Sequence, residues 1–165
     1  MRTITALFVG LGSIGTRHLK NLANLCADRG WALQADALRS DLSRPLRDGV
    51  AELLHAQYTD MADAPAHYDL VFITNPTSLH ADALTQVKGR GEVLFIEKPI
   101  FSAEQAGLAL ANYLPAGQKA YVAAPMRWCG VMLALKDRLP ALHPYCARVI
   151  CSSYLPDWRP GVDYR

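Results

Sequence analysis

A mostly apolar run, Ile4 to Val9, breaks at Gly10-Leu11-Gly12-Ser13-Ile14-Gly15, and this junction constrains the chain more than any other stretch. The run has the length and composition of a buried strand. Beyond it, Ile14, Leu19 and Leu22 fall on one face of a helix. In such a strand–turn–helix unit each glycine has its own task. Gly10 permits a tight turn, Gly12 lets a pyrophosphate approach the backbone, and Gly15 lets the helix pack close to the strand. The helix N-terminus adds free N–H groups and a partial positive charge. The pattern predicts a dinucleotide site at Gly10, Gly12, Ser13, Ile14 and Gly15; the alternative is a glycine-rich turn with only a structural purpose.

Composition narrows the class. At 165 residues, 51% hydrophobic and 19% charged, the chain can build one good core but is small for two complete domains. A net charge of +2, with no basic stripe interleaved with aromatics, points away from nucleic acid. Arg2 followed by an apolar run resembles a leader segment, but Arg17, His18 and Lys20 follow at once, and no stretch approaches about 20 apolar residues. No membrane association is expected. Cys26, Cys129, Cys146 and Cys151 form no CxxC and no Cys/His pair at zinc spacing. They are expected to be reduced thiols of a cytoplasmic protein, with no metal site.

Strand and helix patterns alternate along the chain, which predicts an α/β fold with a doubly wound parallel sheet. After a first helix ending near Arg29-Gly30, Trp31 to Leu38 reads as a second strand and delivers Arg39-Ser40-Asp41. An acidic residue here would bond the 2′-hydroxyl of NAD, and an arginine would accommodate the 2′-phosphate of NADP. Arg39, with Ser40, favours NADP; Asp36 and Asp41 keep NAD open, as does a merely solvated arginine. Residues 43–56 suggest a connection and a short helix, followed by a strand near Gln57 to Thr59.

Asp69 to Ile73 is a buried strand whose end, Thr74-Asn75-Pro76-Thr77-Ser78, must turn at the proline. Ligands of such sheets bind at the carboxyl ends of strands, so Thr74, Asn75 and Pro76 are candidate cofactor contacts. Ser78 is expected to cap a helix running through Val87. His80 lies in its first turn, either as a structural histidine or as part of the site. Glu92 to Ile96 leads into Glu97-Lys98-Pro99 at the same edge. Lys98 there can bond a ribose hydroxyl, polarise a substrate oxygen or pass a proton; a salt-bridged turn lysine is the alternative. Ser102 is expected to open a helix to about Leu114, and Ala120 to Ala124 a sixth strand ending near Arg127. From Trp128 the pattern changes to a helix stopping at Pro140 and then a strand over Tyr145 to Tyr154. The expected division is a dinucleotide-binding domain over 1–125 and the beginning of an incomplete second domain over 126–165.

The glycine turn, the segment Thr74-Asn75-Pro76-Thr77-Ser78-Leu79-His80 and Glu97-Lys98-Pro99, in this order, resemble the Gfo/Idh/MocA oxidoreductases. The tail Ser153 to Arg165 is similar to members associated with surface-polysaccharide and nonulosonic-acid sugars. The resemblance implies a Rossmann domain followed by a mixed α/β domain, and hydride transfer between NAD(P) and a hydroxyl or carbonyl of a sugar. It makes Lys98 the catalytic candidate, with Glu97 and His80 near the cofactor and Arg127 facing the cleft. It also implies a proline after that lysine that is often cis. Members usually exceed 300 residues, and their later Asp and His have no counterpart here. The chain is therefore expected to be a truncated form retaining mainly cofactor binding, with homo-oligomerisation through its C-terminal segment. The alternative is a non-catalytic dinucleotide-binding or interaction module.

Overall fold

Strand β1 (Thr3–Val9) shows how the sequence divides itself between two cores. Successive strand side chains point to opposite faces. Leu7 and Val9 enter one apolar cluster and Ala6 and Phe8 the other. The same alternation recurs in β4 (Tyr68–Ile73), where Val71 and Ile73 face one way and Phe72 the other. Strands buried on both faces must be apolar on both, which is why they read as continuous apolar runs. Each large apolar side chain fully buried in this way contributes about 1.5–3 kcal/mol.

These coordinates form a computed structural model, which describes residues 1–143 and, beyond them, Cys146, Arg148 and Ile150. A six-stranded parallel sheet is ordered β3-β2-β1-β4-β5-β6, with β2 at Ala32–Leu38, β3 at Leu54–Tyr58, β5 at Gly91–Ile96 and β6 at Lys119–Val122. This is the doubly wound order, with its topological switch between β1 and β4. Helix α1 (Ser13–Asp28) contributes Leu19 to the cluster containing Phe8. Helix α2 (His80–Gln86) contributes Ala83 and Leu84 to the cluster containing Leu7. On the α1 face, Phe8, Phe72, Phe95 and Tyr121 stand in register across four neighbouring strands, with ring centroids 4.5, 5.2 and 5.3 Å apart.

Several local expectations are corrected. Ser78 does not cap a helix: residues Thr77–Leu79 form a 3-10 turn, and α2 starts only at His80. Ser102 does form a capping box with Gln105, but the helix expected to reach Leu114 does not propagate. Two 3-10 turns, Ala103–Gln105 and Leu110–Asn112, take its place. Gly107 lies between them, and a segment of that length is marginal as a helix even without a glycine. The chain gains more by packing Phe101, Leu110, Tyr113 and Leu114 onto the α2-side core. The short helix expected within 43–56 is a single 3-10 turn, Ala51–Leu53.

The chain divides into two compact units between Ala124 and Pro125. The second opens with a 3-10 turn, Pro125–Trp128, and continues in α3 (Gly130–Leu142), where Pro140 sits inside the last turn rather than ending the helix before it. The strand expected over Tyr145 to Tyr154 and the tail from Ser153 lie outside the described residues, as does Cys151. Cys26, Cys129 and Cys146 are free thiols, and no described helix is long and apolar enough to cross a membrane. Among the described residues no group of His, Cys, Asp and Glu could hold a metal ion.

Candidate functional site

The turn after β1 is held against the turn after β4 by backbone contact. Gly10 has φ +87, and a Cβ there would lie 2.8 Å from the Asn75 Cα. Gly15 is equally confined: its Cβ would strike the Gly10 carbonyl oxygen and lie 2.7 Å from Thr74 Oγ1. The Thr74 hydroxyl donates to the Gly10 carbonyl at 2.6 Å and its amide to the Val9 carbonyl at 3.0 Å. Gly12 differs from both. It is the N-cap of α1, no side chain caps that helix, and a Cβ would meet nothing within 4 Å. The first N–H groups of α1 lack intrahelical acceptors and so remain available to an anion.

That open space is a cavity of about 670 Å³ along the carboxyl edge. Gly10, Gly12, Ser13 and Ile14 line it from the first turn, and Thr74, Asn75 and Pro76 from the second. Arg39 and Ser40 close its β2 side. Nine positions singled out in the sequence thus converge on one cleft, with Gly15 as the packing contact beneath it. The buried Asn75 Oδ1 has no hydrogen-bond partner, while its Nδ2 donates to the Leu79 carbonyl at 3.2 Å. An acceptor left vacant beside a cleft suits a ligand hydroxyl.

The candidates for reading the ribose separate cleanly. Asp36 lies within β2, buried, and accepts the Tyr68 hydroxyl at 2.9 Å, with His55 Nδ1 at 3.1 Å from its other oxygen. Burial and this carboxylate push the Tyr68 phenol well above its ordinary value. Asp36 is therefore a core carboxylate, not a cofactor contact. Asp41 does line the cleft, but its Oδ1 already accepts the Ser43 amide at 2.8 Å and the Ser43 hydroxyl at 2.6 Å. These bonds, ahead of the nearby Arg44 and Arg39, hold its carboxyl below the usual range. The Arg39 guanidinium is anchored by donating to Gln57 Oε1 at 2.7 Å and to the Arg44 carbonyl.

The β5 side of the edge is built by two histidines. His18 Nε2 lies 2.6 Å from Glu97 Oε1, and its ring sits edge-on to Phe95 at 4.9 Å. The other Glu97 oxygen accepts the Lys98 amide at 3.1 Å. His18 was not singled out in the sequence, although its i,i+3 spacing from Gly15 puts it on the sheet-facing side of α1. His80 is buried, with Nδ1 and Nε2 each 3.0 Å from a backbone carbonyl, those of Ile100 and Asn75. Each ring nitrogen faces a carbonyl of a different loop, and the N–H of a neutral ring donates to one of the two, which seats His80 directly behind Asn75. The Lys98–Pro99 peptide is cis. Lys98 is exposed, and among the described residues nothing bonds its Nζ. Arg127 belongs to the second compact unit, exposed on its opening turn.

A family model described as an oxidoreductase family with an NAD-binding Rossmann fold, GFO/IDH/MocA, matches residues 4–122. The chain belongs to the Gfo/Idh/MocA oxidoreductases. The resemblance carried by the three sequence motifs is thereby confirmed, as is the doubly wound Rossmann sheet. A curated member, the scyllo-inositol 2-dehydrogenase (NAD(+)) of Bacillus subtilis, is 29% identical over 93 residues, covering 56% of this chain and 27% of that protein. The crystal structure of scyllo-inositol dehydrogenase from Lactobacillus casei with bound NAD(H) and scyllo-inositol is 25% identical, with a TM-score of 0.65 over 85% of this chain and 42% of that one. The WlbA dehydrogenase of Bordetella pertussis, solved with NADH and UDP-GlcNAcA, shares the fold at 17% identity and a TM-score of 0.65, covering 85% of this chain and 42% of that one. The chain thus spans less than half the length of the Gfo/Idh/MocA relatives it matches.

Proposed function

We propose that this Gfo/Idh/MocA chain binds a nicotinamide dinucleotide along the carboxyl edge and serves hydride transfer at a hydroxyl or carbonyl carbon of a sugar or cyclic polyol. The observation that carries the reading is the single cleft shared by the glycine turn, the β4 turn and Arg39. The residues present suit the group: space above Gly12, uncapped N–H groups at α1, a vacant acceptor at Asn75 and a guanidinium at the far wall. When bound, the dinucleotide supplies the ring carbon that takes or gives hydride. Gly12, Ser13 and Ile14 would hold its phosphates through backbone N–H groups, and Thr74, Asn75 and Pro76 would fix its position.

Lys98 is assigned the catalytic role. Its free ammonium would donate to the substrate oxygen, stabilising negative charge as a carbonyl is reduced or easing loss of the proton from a hydroxyl. Glu97 would hold the lysine backbone through its bond to the Lys98 amide. Glu97 and His80 thus support cofactor and substrate contacts from behind.

NADP is favoured over NAD because the fixed cation at the end of β2 is Arg39, while Asp36 is buried and Asp41 has one oxygen held by Ser43. The NAD-binding relatives pull the other way, so the cofactor is decided by titration. Calorimetry with NADPH and NADH should show NADPH binding more tightly, weakened by Arg39→Ala and abolished by Gly12→Val. Saturable binding of NADH alone would reverse the cofactor assignment and keep the site. A second reading, binding without turnover, is favoured by the unpartnered Lys98 Nζ, which no described residue orients. Activity against polyols and sugars with each cofactor separates the two.

A further inference from the structure

Glu97 is the residue at which the sheet lets go of the chain after β5: its amide still donates to the Ile73 carbonyl at 3.0 Å. Lys98 follows outside the sheet, so its root depends on what grips this turn. Each end of the turn meets a histidine from a different helix. At the far end the Ile100 carbonyl lies 3.0 Å from His80 Nδ1. At the near end the Glu97 carboxylate has a donor at each oxygen, His18 Nε2 at 2.6 Å and the Lys98 amide at 3.1 Å. An ionised carboxylate only accepts, so Nε2 is a protonated nitrogen of the His18 ring. The two side chains are only 19% and 13% exposed, and the Phe95 ring, edge-on at 4.9 Å, seats the imidazole. A hydrogen bond to a charged acceptor out of water is among the stronger ones.

The helix that carries His18 also carries the cleft. Ser13, the first residue of α1, lines the cavity, and His18 lies five residues on, about 7.5 Å further along the axis. One rigid helix thus turns its first N–H groups to the cleft and, from its sheet-facing side, holds the residue before Lys98.

We propose that His18 is a positioning residue for Lys98: through the Glu97 carboxylate it fixes the Lys98 backbone relative to the helix end that lines the cleft. This rests on the role given to Lys98 above and adds the pair of side chains that aims it.

The first test needs neither ligand nor turnover. Amide hydrogen exchange is read residue by residue by NMR on the isotope-labelled whole chain, in the wild type, His18→Phe, His18→Gln and Glu97→Ala. Lys98 is exposed, so its amide exchanges through local openings, whereas the buried amides of β1 and β4 wait for global unfolding. Glu97→Ala removes the acceptor outright and sets the ceiling. His18→Phe keeps a ring beside Phe95 but no donor, and should speed the Lys98 amide about fivefold or more, the worth of one hydrogen bond. His18→Leu is the smaller substitute where that ring does not fit. His18→Gln places an N–H donor the same number of bonds from the backbone and should return the Lys98 amide to within about twofold of the wild type. If His18→Phe speeds the β1 and β4 amides but leaves Lys98 within about twofold, His18 is a packing residue and the proposal is overturned. It is overturned too if His18→Gln behaves as His18→Phe does.

The second test carries the placement into chemistry. With NADPH or NADH and a polyol or sugar that the wild type turns over, His18→Phe should lower kcat about tenfold and leave KM for the dinucleotide within about twofold, with His18→Gln recovering most of the loss. An unchanged kcat in His18→Phe overturns the positioning role. Wild-type turnover on no polyol or sugar, with exchange as expected, overturns the catalytic role of Lys98 and leaves its anchoring by His18 standing.

Discussion

The two sides of the carboxyl edge are built on opposite terms. After β1 and β4 the chain is locked backbone to backbone, with Gly10 pressed on Asn75 and Gly15 on the Gly10 carbonyl and Thr74 hydroxyl. After β5 the backbone is held from behind by His18 and His80, while the Lys98 side chain extends free. The difference follows from what each side has to present. Backbone N–H groups serve an anion only if the turn carrying them is rigid, so the glycine side gains from over-determination. A lysine that meets a variable substrate gains from a fixed root and a mobile tip. The locked side should therefore answer to mutation in stability, and the free side in chemistry.

The sharpest way to break that contrast is within the glycine turn itself. Gly10→Ala puts a Cβ into the Asn75 backbone at a positive φ, and is expected to cost about 2–4 kcal/mol in urea unfolding. Gly12→Ala meets open space, so its stability cost should stay under about 1 kcal/mol while dinucleotide affinity falls. Equal unfolding midpoints for the two variants would show that the turn is not locked as described. His18→Leu comes next. It leaves the nearly buried Glu97 carboxylate without its ring partner, and about 1–3 kcal/mol should be lost. Lys98→Ala lies at the other extreme. Lys98 is exposed and no described residue bonds its Nζ, so unfolding should move by no more than about 0.5 kcal/mol, with dinucleotide binding kept and any polyol or sugar turnover lost. A large destabilisation would mean that the lysine is a structural residue.

Much of this was legible because it is carried by local backbone needs. The glycines announce tight approach, Pro76 and Pro99 announce strand ends, and continuous apolar runs announce central strands; the parallel α/β class follows from the alternation of strand and helix patterns. What stayed hidden depends on side chains that meet across long separations. The His18–Glu97 pair joins residues on α1 and after β5, and nothing in the neighbourhood of either announces the other. Asp36 and Asp41 were equivalent in the sequence as acidic residues near the end of β2. Only the pleat, which turns Asp36 towards Tyr68, and the hydroxyl of Ser43, which occupies Asp41, tell them apart. The helix expected over 102–114 failed because alanine-rich propensity was outweighed by packing of Phe101, Leu110 and Tyr113.

The smallest predicted effect comes from the opposite edge of the sheet and serves as the control for both sides. Asp69, at the amino end of β4, accepts the Thr5 amide at 2.7 Å and the Thr5 hydroxyl at 2.9 Å on one oxygen. Chiefly the amide bond draws its carboxyl below the ordinary value of 3.8. A folded pKa below the unfolded one means that the unfolded chain binds the proton more readily. The stabilisation is therefore complete above 3.8 and fades as pH falls through the lower folded value. Asp69→Asn keeps an acceptor but has no charge to lose, so its unfolding midpoint should fall less steeply than that of the wild type between neutral pH and pH about 3. Its dinucleotide affinity at neutral pH should match the wild type, because the residue is remote from the cleft. Parallel acid limbs would remove Asp69 from the acid response. A changed affinity would show that the carboxyl edge is not insulated from the edge below it, and the contrast between a locked and a free side would then need a longer-range cause.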